Sequence, residues 1–205
     1  MKIKNILILL IIFSFSCNKS PKTESLAAKN PPDSTAITNL KFENFDFEKF
    51  KIKKGQIGDI KIGMEISEAE TKLSNLTKEE AEAYDFGYDG GGKAYIYSFK
   101  NKPVIAIIPK RESTEILAII ALNNKLKTDN GLNPNSSVKE IQKKYPEIEV
   151  YQNIMMNWEF IHDQKDNLDF IFTTKENNKI GKYTELEAPT KPIRSEIKMN
   201  WITIK

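Results

Sequence analysis

Two residues with chemistry of their own each occur once in this chain of 205 residues: Cys17 and His162. A lone thiol cannot form an intramolecular disulfide, and a lone imidazole cannot build a zinc site that needs several His or Cys ligands. His162 stands beside Asp163 at a strand end, with no nucleophile-elbow glycine pattern anywhere to supply a partner for a triad. It therefore reads as a surface or edge residue. Asp163, Asp166 and Asp169 recur at every third position across a turn, without the alternating spacing and glycine of a calcium loop, and read as solvated turn acids. Asp89-Gly90-Gly91-Gly92 could cradle an anion on backbone N–H groups. It precedes a strand rather than a helix, so it reads as a hairpin turn. These residues assign no catalytic group, no metal ligand and no cofactor. The remaining candidate is a run of tyrosines, Tyr84, Tyr88, Tyr95 and Tyr97, whose rings give contact area with a polar tip and suit a binding surface. The same rings could instead form core beneath the helices, and Phe86 and Phe99 on the same alternation favour that second reading.

The context of Cys17 is more telling. Lys2 and Lys4 form a short positive end, an apolar run follows from Ile6 to Phe13, and the small residues Ser14 and Ser16 flank Phe15 immediately before the cysteine. This is the layout of a cleavable secretion signal over residues 1–16. Its apolar core is far shorter than the roughly 20 residues that span a bilayer. Ser14-Phe15-Ser16-Cys17 resembles a lipobox, with Ser where Leu is commoner three positions before the cysteine. The expectation is that Cys17 receives a diacylglycerol, which also removes an unpaired thiol from an oxidising compartment. Each buried methylene adds about 0.8 kcal/mol of membrane affinity, so two or three chains anchor the protein durably. Asn18 follows, and by resemblance to the sorting rules of diderm bacteria the absence of Asp there favours the outer membrane.

Charge narrows the partners. The chain has 31 basic and 28 acidic residues, and losing Lys2 and Lys4 leaves 29 against 28. Balanced, intermixed charge does not make the concentrated basic field that nucleic acid requires. The expected partners are the membrane, reached through the lipid, and an envelope protein or glycan.

The elements that must position these residues begin after a tether. Residues 17–40 are rich in Ser, Thr, Lys, Asn and Pro and cannot bury enough apolar surface to offset their ordering entropy. Residues 41–205 form one domain, large enough for a substantial core. Phe42, Phe45, Phe47 and Phe50 are expected to pack a lead-in segment onto that core. Two half-units follow, about 55–125 and 126–205, each a short helix and then antiparallel strands. In the first, Ser67 is a plausible helix cap with Ala69, Leu73 and Leu76 as the apolar stripe. Tyr84, Phe86 and Tyr88 alternate like a strand that pairs Phe86 with Tyr95 and Tyr84 with Tyr97 across the Asp89–Gly92 turn. Val104–Ile108 and Ile116–Leu122 continue the sheet, the latter apolar enough to be covered on both faces. In the second unit Val138, Ile141 and Tyr145 mark a helix stopped by Pro146. Val150–Ile161 reads as one long strand with Ile154, Met156, Trp158 and Phe160 on one face. Leu168, Phe170 and Phe172 alternate on its partner, and Ile197, Met199, Trp201 and Thr203 form a paired terminal strand. The helix openings at Ile62-Gly63-Met64 and Leu132-Asn133-Pro134 align as a weak internal repeat. The whole is an α+β domain: an antiparallel sheet of about seven or eight strands with two main helices on one face.

Ile60-Lys61-Ile62-Gly63-Met64 and its helix resemble the opening of the small repeats in the outer-membrane assembly lipoprotein and β-lactamase-inhibitor-like superfamily. Ile116-Leu117-Ala118-Ile119, Lys127-Thr128-Asp129-Asn130-Gly131-Leu132 and Ser137-Val138-Lys139-Glu140-Ile141 with Tyr145 are similar to the envelope-stress (RpoE-regulated) lipoprotein family and to uncharacterised lipoproteins of the Bacteroidota. Asn133 and Pro134 stand where glycine is usual before the Ser. The resemblance implies an envelope protein of unknown biochemical role, with no catalytic residues to carry over; the expectation from the whole sequence is a lipid-anchored, non-enzymatic module that binds a protein or glycan partner through its sheet. Two rival expectations are an inhibitor or immunity-type protein directed at an envelope hydrolase, and a cryptic carboxylate-dependent hydrolase.

Overall fold

The computed structural model describes residues 45–89, 92–186 and 188–205; Cys17, the 1–16 signal, the tether, Phe42, Gly90 and Gly91 lie outside them. Eight antiparallel strands form the main sheet: β4 (Thr77–Glu82), β5 (Lys93–Phe99), β6 (Lys102–Pro109), β7 (Ile116–Ala121), β8 (Tyr151–Asn153), β9 (Trp158–Asp163), β10 (Leu168–Phe172) and β11 (Trp201–Ile204). Their order is β4-β5-β6-β7-β11-β10-β9-β8. Helix α1 (Ile66–Lys72) precedes the first four strands and helix α2 (Val138–Lys144) the last four. Each unit is thus a helix followed by a four-stranded meander, and the two meanders join through their last strands. A small sheet of β1 (Ile52–Lys53), β2 (Gln56–Ile57) and β3 (Ile60–Lys61) precedes α1.

The repeat extends to how the helices are held. In α1, Ile66 N–H donates to Thr114 O just ahead of β7; in α2, Val138 N–H donates to Ile197 O ahead of β11. The start of each helix is therefore tied to the segment that leads into its unit's last strand, which satisfies donors left free at a helix start. This corrects the Ser67 cap: Glu65 occupies the cap position, Ser67 lies inside the helix, and no side chain caps α1. The cap of α2 is local, with Ser137 and Glu140 forming a reciprocal capping box.

Both helices bury their stripes on one face of the sheet. Ile66, Ala69 and Leu73 from α1 and Val138 and Ile141 from α2 share one core with Ile105, Ile107, Ile119, Phe170 and Ile202. The small sheet adds Ile52, Ile57 and Ile60 to it, and Phe45, Phe47 and Phe50 pack against it as a partly buried lead-in. β7 and β11 lie at the centre and are covered on both faces. That placement explains why Ile116–Ala121 and Trp201–Ile204 are almost continuously apolar.

Three strand assignments change, the simplest being the terminal strand, which starts at Trp201 rather than Ile197. The first meander begins with Thr77–Glu82, whose side chains are nearly all exposed. β4 is an edge strand, so its charged sequence needs no buried face and guards the open edge against pairing with other chains. It pairs Glu80 with Tyr95 and Lys78 with Tyr97, the places expected for Phe86 and Tyr84. Residues Ala83–Phe86 instead wind into a 3-10 turn that ends at Gly87 with φ +83°. The expected long strand Val150–Ile161 is a hairpin: Asn153 Oδ1 accepts from Met156 N–H, Asn157 takes φ +52°, and Ile154 and Met155 sit exposed at its tip. Asn tolerates the left-handed conformation that such a tight reversal needs.

Candidate functional site

The second face of the sheet carries no helix among the described residues. Ala94, Ala106, Ala118 and Ile120 keep its centre shallow, and Trp158 and Trp201 rise at one side. Across it runs the segment after β4, residues 83–89, here termed the strap. Phe86 meets Trp201 edge-on at 6.0 Å between ring centroids, and Trp201 meets Trp158 in the same manner at 5.1 Å. Gly87 approaches the Trp158 ring so closely that an added Cβ would lie 2.6 Å from Cζ2. The strap is therefore held by aromatic edges and by a glycine that permits both the contact and the positive φ.

Beneath the strap lies a polar row set by strand register. His162 on β9 stands opposite Asp169 on β10, and Asp169 stands opposite Thr203 on β11. His162 donates from Nδ1 to Asp169 Oδ1 at 2.6 Å, and Lys205 forms an ion pair with the other carboxylate oxygen. The Asp169 side chain is 7% exposed, with both oxygens engaged by cationic or imidazole donors. Tyr88 reaches over this row. Burial, followed by the negative field of Asp169, pushes its phenol above the ordinary range, so the hydroxyl stays protonated and remains a donor. Tyr88, Trp158, Phe160, Asp169, Thr203 and Lys205 line a cleft of about 180 Å³.

Among the described residues, two buried side-chain polar atoms have no protein partner: Tyr88 Oη and Trp201 Nε1. Both belong to this strap-and-sheet contact. A buried donor without an acceptor costs about 1–3 kcal/mol, so two in one cluster, with the other buried side-chain polar atoms of the described residues partnered, single it out.

The four tyrosines singled out from sequence do not share a surface. Tyr95 and Tyr97 face the helices. Tyr97 is 2% exposed and donates to Glu70 Oε1 at 3.2 Å, while Tyr95 lies under the Lys78 ammonium, 3.8 Å from its ring centroid. Tyr88 is on the opposite face, and Tyr84 is half exposed on the strap. The core reading therefore holds for Tyr97, and Tyr88 stays in the candidate site.

Reading Asp163 and Asp169 as solvated turn acids is also corrected: both are buried, on opposite faces. Asp163 accepts from Tyr145 Oη at 2.7 Å, and Asp169 serves the row above. The signal was present in the spacing, because a hairpin that closes Asp163 on Leu168 must place His162 opposite Asp169. Trp158 and Trp201 carried no such signal, since they meet only through strands distant in sequence.

The sequence matches no protein-family model and no curated protein. Among solved structures it is similar to the uncharacterized protein yfeY from Escherichia coli, with a TM-score of 0.51 and 10% identity over 76% of this chain and 99% of that one. At that identity the likeness concerns the fold alone.

Proposed function

We propose that the chain is a lipid-anchored protein of the cell envelope, held at the outer membrane through Cys17, and that it is a binding module rather than an enzyme. Its partner, an envelope protein or glycan, is engaged at the helix-free face, where the strap crosses the two tryptophans. One observation supports this site above others: the two buried donors without a protein partner, Tyr88 Oη and Trp201 Nε1, both belong to this strap-and-sheet packing, and Tyr88 lines the cleft beside it. An acceptor-bearing partner that reached these donors would recover the penalty each leaves. The charged row supports binding over catalysis. His162 and Lys205 both engage Asp169, and among the described residues no serine or cysteine lines the cleft. The anchor itself rests on the sequence around Cys17.

Incorporation of an alkyne-bearing fatty acid in growing cells tests the anchor: the label should appear on the wild type and vanish in Cys17→Ser. A photo-crosslinking residue placed at position 84, on the exposed part of the strap, tests the binding face. One adduct that requires Cys17 and weakens in Tyr88→Phe is expected. Absence of any adduct, or one indifferent to Tyr88→Phe, would remove the helix-free face as the site. Because Tyr88→Phe deletes a buried hydroxyl with no protein partner, the variant should keep or slightly gain stability, so a lost adduct cannot be ascribed to unfolding.

A further inference from the structure

A second cleft lies on the opposite, helix-bearing side. It has a volume of about 690 Å³ and an apolar floor of Ile52 and Leu168. Three segments far apart in sequence bring lysines to it: Lys53 and Lys54 from the β1–β2 hairpin, Lys144 from the end of α2, and Lys165 from the β9–β10 turn. None of the four has a carboxylate within ion-pair distance among the described residues, whereas Lys51 and Lys191 are paired with Glu48 and Glu147. Asp129 and Asp166 are the acids on this rim, leaving four positive charges against two negative.

One wall of the cleft is fixed. Thr128 donates to Asn130 Oδ1 at 2.6 Å, Asn130 donates from Nδ2 to Tyr145 Oη at 2.7 Å, and Tyr145 donates to Asp163. Asp163 also accepts the backbone N–H groups of Lys165 and Asp166. Asp163 thus holds the wall and the β9–β10 turn; it keeps its negative charge behind them and has no cation within ion-pair distance among the described residues.

We infer that this cleft binds a phosphate-bearing ligand, through Lys53, Lys54, Lys144 and Lys165, above the apolar floor of Ile52 and Leu168. Bringing four ammonium groups to one concavity costs repulsion unless an anion occupies it, and the concave shape focuses their field. Lysines act as hydrated point charges, suited to phosphate without imposing the planar fork that arginine would. The volume falls within the roughly 300–1,000 Å³ of small-molecule sites, and the floor gives an apolar part of the ligand somewhere to rest. A lipid headgroup and a soluble phosphorylated molecule share this chemistry. The inference is independent of the helix-free face, since none of its residues lies there.

The test uses the full chain carrying Cys17→Ser, so that no lipid brings it to a bilayer. Inorganic pyrophosphate is titrated by calorimetry at low salt. In parallel, the protein is floated with vesicles of phosphatidylcholine alone or with added phosphatidylglycerol. The Lys54→Gln, Lys144→Gln, Lys165→Gln triple variant is compared with a control triple at Lys61, Lys102 and Lys198, which are equally exposed. Pyrophosphate should bind the wild type and the control alike, and bind the cleft variant about tenfold or more weakly. Binding of phosphatidylglycerol vesicles lost in the same variant identifies a headgroup. Pyrophosphate binding without vesicle binding identifies a soluble ligand. If neither probe binds, or both triples weaken binding equally, the inference is overturned.

Discussion

Glu159 makes the most demanding test of this packing. It lies on β9 facing the helix side, is wholly buried, and has no cation within ion-pair distance among the described residues. Its carboxylate instead accepts four hydrogen bonds from one stretch of chain. Oε1 takes Gly181 N–H and Tyr183 Oη, each at 2.8 Å, and Oε2 takes Thr174 Oγ1 at 2.5 Å and Ile180 N–H at 2.8 Å. One side chain thus pins the loop between β10 and β11 to the sheet. In Glu159→Ala the two hydroxyls can turn toward other acceptors, but the two backbone N–H groups are left without one. At about 1–3 kcal/mol each, these donors cost roughly 2–6 kcal/mol, and the emptied space adds a cavity penalty. Release of the carboxylate from its own desolvation offsets part of this. A net loss of about 3–5 kcal/mol is expected. Glu159→Gln keeps the volume and one oxygen but turns an NH₂ toward two donors, for roughly half that loss. Urea unfolding followed by the emission of Trp158 and Trp201 reads both variants. Glu80→Ala, which removes an exposed pair with Lys93, is the control, expected to change stability by under about 1 kcal/mol. If Glu159→Ala falls within about 1 kcal/mol of the wild type, the loop is held by something other than this carboxylate.

Two further perturbations probe the elements around the sites. Gly87→Ala places a Cβ against the Trp158 ring at positive φ. It should cost about 1–3 kcal/mol and lift the strap, shifting tryptophan emission to the red; unchanged emission and melting temperature would show that the strap does not rest there. Ser137→Ala breaks the capping box of α2 and should cost about 1 kcal/mol at neutral pH. The Ser137 backbone N–H, then its hydroxyl, hold the Glu140 carboxyl below its ordinary 4.5. A lowered folded-state value stabilises the protein above pH 4.5 and that contribution is lost as the pH falls. The gap between wild type and variant should therefore narrow in acid, and a gap that stays constant down to pH 3 would refute the assignment.

Local pattern determined a good deal of this protein. The stripe of Val138 and Ile141 with Ser137 ahead and Pro146 behind marks α2, because caps and breakers act within a few residues. The apolar run at Ile116–Ala121 foretells a central strand, because burial on both faces leaves no room for alternation; the terminal strand is legible only as the alternation of Ile197, Met199, Trp201 and Thr203. The α+β class, the two helices sharing a face and the repeat of helix and strands follow from the same signals. Cys17 and its flanking residues likewise need no tertiary context to suggest lipidation.

Only the tertiary structure decided where the alternating rings went. Tyr84, Phe86 and Tyr88 have the period of a strand, yet the edge position went to the charged Thr77–Glu82, whose unpaired side has no apolar surface to bury. The rings then served a strap that lies flat on the sheet, where one side is covered as it would be in a strand. Period two reports that one side is buried and not what buries it. Both sites belong to this second category. The row of His162, Asp169 and Thr203 depends on β10 lying between β9 and β11, and the lysine cleft on the β1–β2 hairpin meeting the end of α2. Apart from the His162–Asp169 pair, which the β9–β10 hairpin sets locally, these are contacts between segments separated by tens of residues. They are fixed by the sheet's order, which no local spacing encodes.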